Sequence, residues 1–324
     1  MVSNNTVFCF GENNVSNINN IKDIIIIGGG PGGLTAAIYA KRAGCDISVF
    51  ENMSVGGQMI TTPEIENYPG FSGTGYDLAM KLYEQVSSLG VDFKYEGVKS
   101  MEKRDGVFFV KCENGSEYTA KSLIIASGAV RRSLGIKGEN EFSGRGVSYC
   151  ATCDGNFFKG KTAVVVGGGN TAVEDAIYLS KICSKVYIMH RRDEFRASKI
   201  LTDRLVSYDN IEIMLNYIPI EIVGEDKVEK LIARNKITNT DIEIDTDAVF
   251  VAIGTIPKTD FVSEDVERDK NGYIITDDKC RTNIEGIYAV GDARNTPLKQ
   301  VVVAASDGAI AATFAAEYVS KCEK

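Results

Sequence analysis

One arrangement occurs twice in these 324 residues, and it restricts the fold more than any other feature. The apolar run Ile24–Ile27 enters the glycine loop Gly28–Gly33, followed by a helical pattern from Leu34 to Gly44 and a second apolar run, Ile47–Phe50, ending at Glu51. Ala163–Val166, the loop Gly167-Gly168-Gly169-Asn170, a helical pattern over Thr171–Lys181 and the run Val186–His190 repeat that order. Strand, glycine loop, helix and strand make a right-handed βαβ crossover with parallel strands. Both copies also close alike. Val107–Cys112 and Glu117–Ala120 flank the hairpin signal Asn114-Gly115 before LIIASG (Leu123–Gly128). Strand-like segments near Ile232–Ile237 and Ile242–Ile244 precede VFVAIG (Val249–Gly254). The expected fold is α/β, with two related Rossmann-like, three-layer domains.

Between the copies, Leu78, Leu82, Val86 and Leu89 form one stripe of a helix over Asp77–Leu89, ended by Gly90. The tail Ile284–Asp292 (IEGIYAVGD) reads as a strand running into a Gly-Asp turn. It has no glycine loop and helix of its own, so it is expected to complete one of the two domains.

Composition removes several classes of function. The chain is 44% hydrophobic and 25% charged, the balance of a globular protein. No apolar run in the sequence approaches the roughly 18 residues expected of a membrane helix. A net charge of -8 disfavours nucleic acid or an anionic membrane as the main partner. Residues 1–20 are rich in Asn and lack the pattern of a secretory signal, so they read as an extension without an assigned role. Of the eight cysteines only Cys150 and Cys153 are neighbours, which points to a reducing cytoplasm rather than a disulfide scaffold.

Gly28, Gly30 and Gly33 have the spacing of a dinucleotide fingerprint, placed after a strand and before a helix. Glycines there allow a tight turn and let N–H groups approach a pyrophosphate at the helix N-terminus. Glu51 stands where an acid accepts a hydrogen bond from a ribose hydroxyl. In the second loop Gly167, Gly169 and Ala172 repeat the fingerprint, and His190, Arg191, Arg192 and Arg196 replace the acid. Guanidinium groups pair with a phosphate dianion that a carboxylate would repel, so this site is expected to prefer NADPH to NADH. Cys150-Ala151-Thr152-Cys153-Asp154 precedes that loop. A zinc site would need a second ligand pair, which the sequence lacks, and no metal is expected. So small a ring would restrain little of the unfolded chain as a structural disulfide. A redox-active dithiol is the leading reading, with Asp154 as a proton shuttle, a helix cap, or both.

CATCDG (150–155), GGGNTAVEDA (167–176), HRRDEFRA (190–197), ENYPGF (66–71) and GIYAVGDAR (286–294) together resemble the bacterial low-molecular-weight thioredoxin reductases, from about Ile21 to the C-terminus. The resemblance implies a homodimer whose chains hold FAD in one domain and NADPH with the disulfide in a second domain inserted into it. The implied division is an extension over 1–20, an FAD domain over 21–132 and 258–324, and an NADPH domain over 133–257. It further implies FAD contacts from Gly28, Gly30, Pro31, Gly33, Glu51, Gly57, Gln58, Asn67, Gly128, Gly291, Asp292, Lys299, Gln300 and Val301. NADPH contacts would come from Gly167, Gly169, Asn170, Thr171, His190, Arg191, Arg192, Arg196 and Gly254. Arg145, Phe157 and Phe158 would meet thioredoxin. Lys299 for a usual Arg, Ser127 for a usual Thr, Asn156 for a frequent apolar residue and the N-terminal extension depart from the family pattern.

The implied reaction carries hydride from NADPH to FAD, reduces Cys150–Cys153, and passes the electrons to thioredoxin by Cys150 attack and Cys153 resolution. Nicotinamide site and disulfide share a domain yet must each reach one flavin, so domain rotation about links near Arg131–Leu134 and Ile256–Thr259 is implied. A same-fold flavoprotein serving ferredoxin or flavodoxin lacks the dithiol. A ferredoxin-driven thioredoxin reductase lacks the NADPH loop and arginines. A flavin-bound redox sensor without turnover is the non-enzymatic alternative.

Overall fold

The computed structural model describes residues 21–62 and 64–322, so the extension carrying Cys9 lies outside the described residues. One compact unit is Arg131–Thr255, and the other is assembled from the chain on both sides of it.

In the outer unit, parallel strands lie in the order Asp92–Lys94, Ile47–Phe50, Lys22–Ile27, Glu117–Ile125, with Ile287–Ala289 also paired to Glu117–Ile125. The hairpin strand and the closing strand expected after Asn114-Gly115 are thus one nine-residue strand, antiparallel to Val107–Cys112 at its start. The central strands are largely apolar because both faces are covered, with Ser48 and Ser122 as buried polar exceptions. Ile24, Ile26, Val49 and Ile124 face a core with the helices, while Ile25, Ile27, Phe50 and Ile125 face a core with Phe108, Val110 and Ile287. The period-2 alternation of strand side chains is what divides them.

The helix Pro31–Arg42 follows the glycine loop, with Pro31 in the first turn and Lys41 and Arg42 in the last, where they favour the negative end of the helix dipole. The packing helix runs Gly75–Ser88, begun by the Thr74 hydroxyl accepting the Asp77 N–H at 3.1 Å.

The tail carries an element that the sequence does not announce, the 22-residue helix Val301–Cys322. Its length and mean hydropathy of 1.2 are those of a membrane-crossing helix, which corrects the expectation that no apolar segment is long enough. Here it lies against Pro31–Arg42, burying Ala304, Asp307, Gly308, Ala311, Ala312, Ala315 and Val319. A Cβ at Gly308 would run into the carbonyl of Gly32, so the glycine is what lets the two backbones approach.

The inner unit has five parallel strands in the order Val147–Ser148, Ala248–Val251, Thr162–Val166, Lys185–His190, Ile211–Leu215. The helix Asn170–Ser180 packs on one face through Ala172, Val173, Ala176 and Ile177. An antiparallel meander, Tyr217–Gly224, Val228–Asn235 and Asp241–Asp245, supplies Ile222, Leu231 and Ile244 to the other. Both units therefore have the mixed α/β, parallel-sheet architecture expected.

Candidate active site

The first glycine loop has a shape suited to a pyrophosphate. A Cβ at Gly28 would meet the Ala126 carbonyl, and one at Gly33 the Gly28 carbonyl, so both glycines are fixed by protein packing. A Cβ at Gly30 would find nothing nearer than the Gly57 Cα at 4.0 Å, which leaves the middle glycine open. Tight first glycine, open second and packed third is the division of labour a dinucleotide loop needs. Glu51 reaches under the loop: its carboxylate accepts the Gly29 N–H at 2.7 Å and the Met53 N–H at 3.0 Å.

Of the other expected residues of this unit, Gly57 stands beside the same loop, and the rest make contacts elsewhere in the unit. Gly56 N–H donates to the Gly29 carbonyl at 2.7 Å, seating Gly57 beside Gly30. Gln58 Nε2 donates to the Ala129 carbonyl at 2.5 Å. Gly128 adopts φ +68° and accepts the Lys258 N–H at 2.9 Å. Asn67 Nδ2 donates to Gln300 Oε1 at 3.0 Å, joining residues 233 positions apart. Lys299 places its ammonium 3.7 Å from the Tyr273 ring centroid. Val301 opens the long helix, and Gly291 opens a short turn containing Asp292.

Beneath that turn lies a pair of which only Arg294 falls within a sequence motif. Asp307 Oδ2 accepts the Gly291 N–H at 3.0 Å, and Oδ1 accepts from Arg294 Nη1 at 2.8 Å. Both side chains are largely buried. The signal available in the sequence is one carboxylate in an otherwise uncharged stretch, Val301–Ala316.

The second loop repeats the geometry. Gly167 is packed against Ala252 and Ala172, whereas nothing lies within 4 Å of a Cβ built on Gly169. Asn170 and Thr171 begin the helix, and Gly254, at φ +97°, accepts the Arg132 N–H at 3.0 Å. Arg191, Arg192 and Arg196 are exposed, but His190 is only 5% exposed. Its ring fills the space where a Gly168 Cβ would stand and stacks on Phe195 at 5.7 Å. Burial first, then Arg196, Arg192 and Arg191, push its imidazole below the ordinary histidine value. The neutral ring therefore lies under the loop, while the three guanidinium groups present the charge.

Cys150 and Cys153 form a disulfide, with Cα atoms 5.3 Å apart, on the short turn Ala151–Asp154. The strand Val147–Ser148 leads straight into it, so a sheet position fixes the first sulfur's backbone. Ser148 Oγ donates to Asp154 Oδ2 at 2.6 Å and accepts the Cys150 N–H at 3.1 Å. Asp154 Oδ1 is buried with no hydrogen-bond partner among the described residues. Phe157 is 43% exposed, whereas Phe158 packs edge-on against Phe250 at 5.7 Å. Arg145 is tied to its own unit through the carbonyls of Glu141 and Asp226. Among the described residues Cys45, Cys112, Cys183 and Cys280 are buried cysteines outside that disulfide. Burial, the leading cause, pushes Cys112 and Cys280 up to about 12 and Cys183 up to about 11.

A half-buried disulfide thus stands in the same unit as a dinucleotide loop. The profile of the family described as pyridine nucleotide-disulphide oxidoreductase matches residues 22–308. The thioredoxin reductase of Treponema pallidum is 43% identical over 299 residues, 92% of this chain and 97% of its own. The crystal structure of thioredoxin reductase from Streptococcus pyogenes superposes with a TM-score of 0.88 at 42% identity, covering 94% of this chain and 99% of that one. Thioredoxin reductase from Giardia duodenalis also gives 0.88, at 37% identity, over 93% of this chain and 100% of that one. The chain belongs to the pyridine nucleotide-disulphide oxidoreductase family, among its thioredoxin reductases.

Proposed function

We propose that the chain is an NADPH-dependent, FAD-containing thioredoxin-disulfide reductase, with Cys150–Cys153 as the disulfide that hands electrons to thioredoxin. The observation that carries this reading is the position of that disulfide: it shares a unit with a dinucleotide loop flanked by three exposed arginines, and a carboxylate with one buried oxygen stands next to it. Residues 21–132 and 258–324 form the FAD domain, and 133–257 the NADPH domain.

Bound FAD supplies a two-electron relay between NADPH and the disulfide. The open face at Gly30 and the N-terminus of Pro31–Arg42 receive the FAD diphosphate, and Glu51 accepts from the adenosine ribose. Gly57, Gln58, Asn67, Gly128, Gly291, Asp292, Lys299, Gln300 and Val301 border the rest of the cofactor. Gly167, Gly169, Thr171 and Gly254 line the NADPH diphosphate, with Arg191, Arg192 and Arg196 on the 2′-phosphate.

In the reduced protein the Cys150 thiolate attacks one sulfur of the partner's disulfide, forming a mixed disulfide and releasing one partner thiolate. Cys153 then attacks the Cys150 sulfur, restoring the Cys150–Cys153 bond and releasing the second partner thiol. Asp154 holds the proton exchanged with the thiolates. Ser148 occupies one of its oxygens, and the other is free of hydrogen bonds among the described residues. Thioredoxin docks over Arg145, Phe157 and Phe158. The active form is a cytoplasmic homodimer.

The test is an anaerobic NADPH titration of the purified flavoprotein, followed by flavin absorbance. Two hydride equivalents per flavin are expected, falling to one in Cys150→Ser/Cys153→Ser. A bound flavin that NADPH does not bleach would overturn the reading in favour of reduced ferredoxin as donor.

A further inference from the structure

The arginine loop is not a free surface loop. Three ties bind it to the glycine loop. Arg196 N–H donates to the Gly168 carbonyl at 2.7 Å. Ser198 N–H donates to the Asn170 side-chain carbonyl Oδ1 at 2.9 Å. The His190 ring, stacked on Phe195, is pressed against Gly168 from below. Only the second of these is made by a side chain of the glycine loop itself.

The chemistry of the loop explains why it needs such ties. Arg191, Arg192 and Arg196 carry like charges within six residues, with Asp193 and Glu194 between them. Left free, the segment would spread its guanidinium groups, and each binding event would have to order them again. Tied at Gly168 and Asn170, the loop keeps its arginines at a fixed distance from the open face at Gly169. That distance is a ruler between a diphosphate and a 2′-phosphate. Asn170 Oδ1 is committed to Ser198, and the Ser198 backbone at φ -60° and ψ 148° presents its N–H toward it.

We infer that Asn170 is a positioning residue for coenzyme choice: through Ser198 its side-chain oxygen holds the arginine loop in register for the 2′-phosphate. This rests on the reading of the second loop as an NADPH site. Coenzymes lacking the 2′-phosphate make no use of the arginine loop, so loss of the tie should leave them unaffected.

The experiment titrates adenosine 2′,5′-bisphosphate and ADP separately into the intact flavoprotein by calorimetry. Wild-type protein that binds the bisphosphate no better than ADP would overturn the NADPH-site reading itself, a failure distinct from that of Asn170. Asn170→Ala is expected to weaken the bisphosphate by about three- to ten-fold, the worth of one net hydrogen bond, with ADP within about two-fold of wild type. Ser198→Pro removes the N–H at a φ proline adopts, along with a hydroxyl that makes no cap hydrogen bond, and is expected to give the same selective loss. The double variant should be no worse than either single, since both remove one interaction. In turnover the KM for NADPH should rise, while kcat and the KM for NADH hold. Equal loss of both ligands in Asn170→Ala, loss of neither, or Ser198→Pro behaving as wild type would overturn the inference. ADP binding serves as the control for folding in every variant.

Discussion

The Ser148 hydroxyl donates to the Asp154 carboxylate at 2.6 Å, and the same hydroxyl receives the Cys150 N–H, so one strand-end serine aligns the acid with the attacking cysteine. Asp154→Asn should lower thioredoxin-dependent kcat by about 10²-fold, the lower end for a lost general acid–base group. Ser148→Ala should cost about five-fold, since the carboxylate remains but one hydrogen bond holding it is gone. Stopped-flow reduction of the flavin by NADPH should be unchanged in both. A slowed flavin reduction would show that the pair acts elsewhere in the cycle.

Asp175, on the helix Asn170–Ser180, gives a pH dependence of definite sign. Burial first, and Glu174 second, raise its carboxyl to about 7. The folded protein therefore binds more protons here than the unfolded chain between about pH 4 and 7, and stability falls as pH rises through that window. Asp175→Asn should remove the slope. It should stabilise at pH 8 by on the order of 4 kcal/mol and change little at pH 4. Thermal unfolding followed by circular dichroism at the two pH values checks this, and an equal shift at both would refute the assignment.

The Arg294–Asp307 pair should behave as a buried ion pair under the Gly291–Asp292 turn. Asp307→Ala leaves the guanidinium uncompensated and the Gly291 N–H without its acceptor, a loss of about 3–5 kcal/mol. Arg294→Met/Asp307→Asn should recover part of that, because no buried charge is left over. Urea unfolding, with flavin fluorescence reporting release, measures both. A double variant as unstable as Asp307→Ala would contradict the argument.

Thiol chemistry that responds to NADPH should be confined to one pair. Cys112, Cys183 and Cys280 are buried, with ionisation pushed up to about 12, 11 and 12, so they stay protonated and unreactive at pH 8. Alkylation of native protein before and after NADPH should differ by two thiols, mapped to Cys150 and Cys153 by mass spectrometry. Comparable labelling of the three buried cysteines would show that the core opens.

What could be read in the sequence was chemistry written locally. Gly28–Gly33, Gly167–Asn170, Arg191–Arg196 and Cys150–Cys153 each lie within a few residues, so spacing alone exposes them. What could not be read joins distant residues or lacks a period. Asn67 meets Gln300, and Arg294 meets Asp307, only because the fold brings them together. The helix Val301–Cys322 is apolar on most of its faces, with small residues where it meets Pro31–Arg42, so it shows no amphipathic stripe. The strand Val98–Arg104 escaped for the opposite reason: at the sheet edge it exposes Lys99, Glu102 and Lys103 and buries only Met101.

The nesting of one unit inside the other sets an order of birth. Glu117–Ile125 must wait for Ile287–Ala289, and Pro31–Arg42 for Val301–Cys322, whereas all five strands of the inner sheet emerge between Val147 and Val251. At about 5–20 residues per second, that wait lasts on the order of ten seconds or more. On the ribosome the inner unit can close first, leaving the isoleucine-rich sheet of the outer unit uncovered. The nascent chain is most exposed to aggregation there, and a chaperone that helps this protein would act before its last helix leaves the exit tunnel.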